Sequence, residues 1–295
     1  MEWFDAFRRD IPMRAPEVSP WGTLVFEVMS QQTPIPRVEP VWVAWMRRWP
    51  TAADLAAATP ADVLVAWGRL GYPSRALHLQ ECARVVYEEY AGVLPRDYDA
   101  LLELPGVGPY TASAVSSFAY HQRVAVLDTN VRRVFARWLD GVEFAPKSAP
   151  GRAERERAND LLPADGREAA RWNVACMELG ALVCTSRSPH CAECPLEGEC
   201  AWVAAGRPAA ESRPRGQAWA GTDRQARGRV MRLLRDAHES GETVTRDDAL
   251  EAATLPGADP AQAPRVVEGL VRDHLIDEGA IRLEGENVEI VRLPT

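Results

Sequence analysis

Leu104-Pro-Gly-Val-Gly-Pro-Tyr-Thr-Ala112 lies between two stretches of helical periodicity, and its reading decides the fold. Two glycines two residues apart let the backbone turn tightly and come close to a partner. A helix opening near Pro109 would point its unbonded N–H groups the same way, a geometry that suits a phosphate. The competing reading is an ordinary glycine-rich turn between helices. Outward from this turn, apolar residues recur at helical spacing over 21–29, 38–49, 61–67, 75–90, 98–104, 111–120, 131–139, 154–162 and 167–183. Pro34, Pro36, Pro40, Pro50, Pro60, Gly71, Pro73, Pro95 and Pro105 punctuate them. Residues 1–200 show no convincing strand, so this part is expected to be all-α.

Further along, residues 204–221 are rich in Ala, Gly, Pro and Arg and read as a linker. Beyond it, helical patterns over 223–237, 246–253 and 262–274 precede an alternating segment, 276–291, around Glu284-Gly-Glu-Asn. Alternation about such a turn predicts a two-stranded hairpin. Three helices and a hairpin outline a small α+β, winged-helix-like domain over 222–295. Its 10 basic and 15 acidic residues over 220–295 do not favour DNA binding by its third helix, and a packing or partner-binding module is the other reading.

The 295 residues suffice for two domains and a substantial core. The N-terminus shows no basic and apolar export signal, and the longest uncharged stretch, 104–122, is broken by prolines and glycines, so no membrane span is expected. The formal charge of −8 weighs against a nucleic-acid partner, but net charge hides distribution. Residues 104–139 carry Arg123, Arg132, Arg133 and Arg137 against Asp128 alone, and residues 207–235 carry eight arginines against two acids. A solvated face is the simplest account of such runs. Lys147 is the only lysine in the chain.

Cys184, Cys191, Cys194 and Cys200 follow the spacing C-x6-C-x2-C-x5-C. Thiolates this close grip a metal centre, and four of them suit a [4Fe–4S] cluster. Zinc is the rival, although a zinc ribbon has two C-x2-C knuckles and only Cys191/Cys194 forms one. Clustered thiols imply a reducing, cytoplasmic setting. Cys82 and Cys176 fall in apolar helical patterns and read as small core residues.

Two carboxylates stand out. Asp128, in Val126-Leu-Asp-Thr-Asn-Val131, precedes an Arg-rich helix; it reads as an N-cap or as an acid held in a dry cleft to stabilise a cation. Glu27 shares a helical face with Thr23, Ser30 and Gln31. That face is either a solvent-facing polar stripe or the lining of a cleft, where desolvation would raise the Glu27 pKa and let it act as an acid.

Taken together, Phe26-Glu-Val-Met-Ser-Gln-Gln-Thr33, Trp67-Gly-Arg-Leu-Gly-Tyr72, Leu104–Ala112, Val126–Val131, Met177-Glu-Leu-Gly-Ala-Leu-Val-Cys184 and the four-cysteine loop occur in one order. Over about residues 1–203 the chain resembles the helix-hairpin-helix (HhH-GPD) DNA glycosylase superfamily, with its strongest likeness to the MutY-type adenine glycosylases. The resemblance implies a two-lobed helical fold, a six-helix lobe over about 20–132 and an iron–sulfur lobe made of the N-terminal segment with 133–203. It implies a hairpin that grips phosphate through Gly106 and Gly108, and a target nucleotide flipped into a cleft. It assigns Glu27 as the general acid and Asp128 as the stabiliser of the cationic sugar, with Tyr110 supporting that sugar from the side. It assigns Gln32, Thr33, Leu70 and Tyr72 to the duplex and the opposite base, and Arg14 and Arg187 to DNA. It further implies a [4Fe–4S] cofactor, a monomer, and double-stranded DNA with a mispaired or damaged base as partner, in the bacterial nucleoid.

Tyr110 stands where related lyases carry a Schiff-base lysine, so the resemblance implies a monofunctional enzyme that leaves an abasic site after removing adenine opposite 8-oxoguanine or guanine. A thymine or uracil mismatch glycosylase, and a non-enzymatic iron–sulfur DNA-binding regulator, are the alternatives. The chain departs from the family pattern at Met13, Val174 and Thr129, and its C-terminal region does not resemble the family's usual Nudix-like domain, which reads 8-oxoguanine.

Overall fold

The computed structural model describes residues 1–146, 149–211, 218–283 and 286–295. Lys147 therefore lies outside the described residues, as do Glu284 and Gly285 of the expected hairpin turn. In chain order the helices are α1 (Glu2–Phe7), α2 (Pro20–Ser30), α3 (Ile35–Arg48), α4 (Ala52–Ala56), α5 (Pro60–Trp67), α6 (Ser74–Glu89), α7 (Tyr98–Leu102) and α8 (Pro109–Phe118). They continue with α9 (Thr129–Trp138), α10 (Arg152–Asp160), α11 (Gly166–Leu182), α12 (Ala201–Ala204), α13 (Asp223–Ser240), α14 (Arg246–Ala253) and α15 (Gln262–Arg272). Strands among the described residues are β1 (Val244–Thr245), β2 (Asp277–Leu283) and β3 (Glu286–Arg292).

The helical periodicity located most of these elements within a few residues. Pro36 and Pro40 do not break α3 as their punctuation suggested. Pro36 occupies the first turn, where no N–H donor is needed. Pro40 lies inside the helix and costs it one early bond. The short helices α1, α4 and α12 and the two-residue strand β1 carry too little periodicity to be seen in sequence.

The chain forms two compact units, Met1–Glu27 with Leu94–Pro214, and Val28–Val93 with Arg215–Thr295. In the first, Val131, Val134 and Phe135 of α9 pack with Ala158, Leu179 and Val183. Asn173 fastens this core, its amide donating to Val124 O at 2.9 Å and its carbonyl accepting from Val126 N at 3.2 Å. In the second unit, Trp45 meets Trp49 and Trp67 edge to face at 4.9 and 5.6 Å. Helix α13 packs against α5 within that unit. The strands form an antiparallel sheet of order β1-β3-β2. Part of the expected linker is tied down, since Trp202 Nε1 donates to Pro208 O and Ala210 N to the buried Glu143.

Candidate active site

The first unit brings three of the expected catalytic residues together. Helix α2 carries Glu27 inward, so the face left ambiguous by sequence is a buried one, with Thr23 at 3% and Glu27 at 2% exposure. Tyr110, in the first turn of α8, donates its hydroxyl proton to Glu27 Oε2 at 2.9 Å. Burial pushes the Glu27 carboxyl up to about 7, against the Tyr110 hydrogen bond and the nearby Arg14 charge, which lower it; Asp128 raises it further. The same surroundings push the Tyr110 phenol up, so it stays a donor at neutral pH.

Asp128 fills the capping role, one of the two that its sequence context suggested. It caps α9, its Oδ1 accepting from Val131 N at 2.6 Å, and its Oδ2 accepts from Asn130 Nδ2 at 2.8 Å. Burial raises its pKa, while these hydrogen bonds and the Arg133 charge oppose the rise. Asp128 thus has more groups favouring its charged form than Glu27 has.

A supporting layer holds these acids in place, and the sequence did not reveal it. Asn130 rests against α11, where a Cβ at Gly180 would come within 2.7 Å of the Asn130 Cβ and 2.9 Å of its carbonyl oxygen. Gly180→Ala is therefore expected to destabilise the protein by about 1–3 kcal/mol and to slow catalysis by displacing Asn130, measured as the unfolding midpoint and kcat. Arg133 donates to Asn130 Oδ1, Gly180 O and Cys184 O, joining the acid's helix to the cysteine segment. On the other side Glu178, fully buried, accepts from Arg9 and from Arg14 at 2.6 and 2.7 Å. This pairing places the Arg14 charge near Glu27.

The arginine run 123–137 is not a solvated face. Arg123 donates to the carbonyls of Asn159, Leu162 and Pro163, and Arg132 pairs with Glu154 at 2.6 Å. Arg137, 1% exposed, donates to the Glu143, Thr185 and Ser186 carbonyls and lies 3.4 Å from Cys184 Sγ. Its guanidinium also stacks 4.7 Å from the Trp202 ring centroid. Cys184, Cys191, Cys194 and Cys200 line one cavity with Arg137 and Trp202. By contrast Arg187 is exposed on the loop that precedes Cys191. Cys82 is buried, with its thiol pushed up to about 12 as for an unreactive core residue.

The glycine turn is built as its sequence suggested. Gly106 adopts φ 75°, a conformation that favours glycine, and Gly108 caps α8 with no side chain in the way. The remaining expected contacts, Gln32, Thr33, Leu70 and Tyr72, belong to the second unit, and Thr33, Leu70 and Tyr72 meet Arg75. Its guanidinium donates to the Val28, Gln31 and Gly71 carbonyls and to Thr33 Oγ1. Thr33 and Leu70 are buried, while Gln32 and Tyr72 stand exposed at left-handed φ of 55° and 48°.

Residues 25–157 match the HhH-GPD superfamily base excision DNA repair protein family. Over 289 residues the chain is 50% identical to an adenine DNA glycosylase of Mycolicibacterium smegmatis, spanning 97% of this chain and 95% of that protein. The chain belongs to the adenine DNA glycosylase family. The human adenine DNA glycosylase is 39% identical over 213 residues, 68% of this chain but 38% of its own length. Among solved structures, a thermostable thymine-DNA glycosylase superposes with a TM-score of 0.64 at 28% identity, over 69% of this chain and 93% of that one. An endonuclease III–DNA covalent intermediate superposes with a TM-score of 0.59 at 25% identity, over 70% of this chain and 94% of that one. Membership places the chain among DNA base excision enzymes, and no helix among the described residues is long and apolar enough to cross a membrane.

Proposed function

We propose that this protein hydrolyses the N-glycosidic bond of adenine mispaired with 8-oxoguanine or guanine in double-stranded DNA, leaving an abasic site. The observation that carries this reading is the buried Glu27–Tyr110 pair beside Asp128, with the Glu27 pKa near neutrality. Anionic adenine is a poor leaving group, and the sugar becomes positive as the bond breaks. The step therefore needs one protonated and one ionised acid. Tyr110 donates to Glu27 Oε2 and orients the carboxyl, which in its protonated form hands a proton to a purine ring nitrogen. The bonding pair departs with the neutralised purine, Asp128 offsets the charge on the sugar, and water adds to the anomeric carbon, its released proton restoring the Glu27 carboxyl. The Gly106–Gly108 turn grips backbone phosphate, Gln32 and Tyr72 engage the opposite strand with Thr33 and Leu70 supporting them, and Arg187 contacts DNA.

Incubation with duplexes containing A:8-oxoG, A:G, T:G or U:G is expected to release adenine only, with strand scission only after alkali. Tyr110 has no amine to form a Schiff base, so scission without alkali would overturn the monofunctional assignment. Release from T:G or U:G alone would move the assignment to the mismatch enzymes, and no release from any duplex would favour the non-enzymatic regulator. Because Glu27 must be protonated, kcat/KM is expected to fall as pH rises through about 7. A profile flat from pH 6 to 9 would exclude Glu27 as the acid.

The four cysteines fit a [4Fe–4S] cluster better than zinc. All four line one cavity, and they carry one C-x2-C pair where a zinc ribbon has two. A multi-iron cluster spans such spacing, and the Arg137 cation beside Cys184 offsets thiolate charge. When bound, the cluster stabilises a loop-rich segment by linking four points of the chain. The order helix, strand, two helices, hairpin in 223–292 supports the winged-helix-like reading of the C-terminal domain.

A further inference from the structure

The arginine-rich run that ends in α13 has no part in the chemistry above, and its first turn meets Tyr72 within the second unit. Arg224 Nη1 donates to the Tyr72 hydroxyl at 3.1 Å. The Arg224 guanidinium lies 5.6 Å from the Tyr72 ring centroid and 4.9 Å from that of Trp219. Arg75 approaches the Tyr72 ring as well, at 5.7 Å. Tyr72 and Trp219 keep 38% and 50% of their surfaces exposed, unusual for rings held by cations. Farther along α13, Arg235 stands among the like charges of Arg232 and Arg69, with Asp236 and Glu239 the acids beside it. Two cations, Arg224 and Arg75, beside the partly exposed Tyr72 and Trp219 rings form a surface for a nucleobase and its phosphates.

We propose that α13 forms part of the DNA-binding surface, with Arg224 contacting the edge of the base that faces the excised adenine and Trp219 and Tyr72 stacking near it. This rests on the assignment of Gln32 and Tyr72 to the opposite strand. Arginine presents a planar fork that matches the paired O6 and N7 acceptors on the major-groove edge of guanine, which cytosine lacks, whereas 8-oxoguanine, protonated at N7, offers the fork O6 alone of that pair. Arg224 thereby gives the C-terminal domain a route to opposite-base selectivity through its first helix.

The test uses the full-length protein and duplexes whose target nucleotide is 2′-fluoro-2′-deoxyadenosine, which resists excision, opposite 8-oxoguanine, guanine or cytosine. Arg224→Ala is expected to cut the preference in Kd for guanine over cytosine by roughly tenfold, and that for 8-oxoguanine over cytosine by less. It should also reduce the slope of log Kd against log salt by about one unit at most. Arg224→Lys keeps the charge and is expected to restore the slope but not the preference. An unchanged preference in both variants overturns the proposal, as does a changed slope alone, which would make Arg224 a phosphate contact only. Matching unfolding midpoints show that neither variant acts through misfolding. Binding is read without turnover, so a protein that released no adenine from natural duplexes would refute the glycosylase reading and leave this test standing.

Discussion

Glu27→Gln is expected to slow adenine release in a single turnover by about 10²- to 10⁴-fold while leaving duplex affinity unchanged. Glutamine matches the shape of glutamate and can still accept the Tyr110 hydroxyl, so the site keeps its packing and loses only the transferable proton. The same change is expected to stabilise the protein at alkaline pH. The folded Glu27 carboxyl holds its proton to about 7, above its ordinary 4.5. Folding is therefore penalised progressively as pH rises from 4.5 to 7, and fully above 7. That shift corresponds to at most about 3 kcal/mol, released when the ionisable group is removed. Unfolding midpoints of both proteins at pH 5 and pH 8 test this: the variant's advantage should appear at pH 8 and shrink at pH 5. Equal midpoints at both pH values, or retained excision, would remove Glu27 from the role of acid.

Asp128→Asn separates the two duties of Asp128. Asparagine caps helices about as well as aspartate, so the Val131 N–H keeps an acceptor and α9 keeps its start. The carboxylate charge is lost, and with it the group that offsets the cationic sugar, an effect of about 10²- to 10³-fold on kcat. Asp128→Ala removes both duties and is expected to cost about 1 kcal/mol of stability in addition. If Asp128→Asn excised adenine at the native rate, Asp128 would be a cap and nothing more.

How far the sequence foretold this site depends on how local each feature is. The cysteine spacing and the glycine turn are properties of consecutive residues and could be read directly. Glu27 was harder, because helical periodicity tells which residues share a face but not what covers that face. The burial of Glu27 comes with Tyr110, 83 positions away. Asp128 looked like either a cap or an active acid because one carboxylate has two oxygens and the local sequence does not say what faces the second. The arginines between 123 and 137 misled for the same reason. Their partners at Glu154, Gly180, Cys184 and Thr185 lie far along the chain, and a charge run gives no sign of them. Gly180 passed unnoticed because its need for a missing Cβ arises only where α11 touches Asn130.

Helix α9 begins at Asp128 and, two turns on, grips the cysteine segment through Arg133 and Arg137. A ten-residue rod thus joins the reacting end to the sulfur end. A shift of the thiol segment therefore has a direct mechanical route to the Asp128 end of this rod.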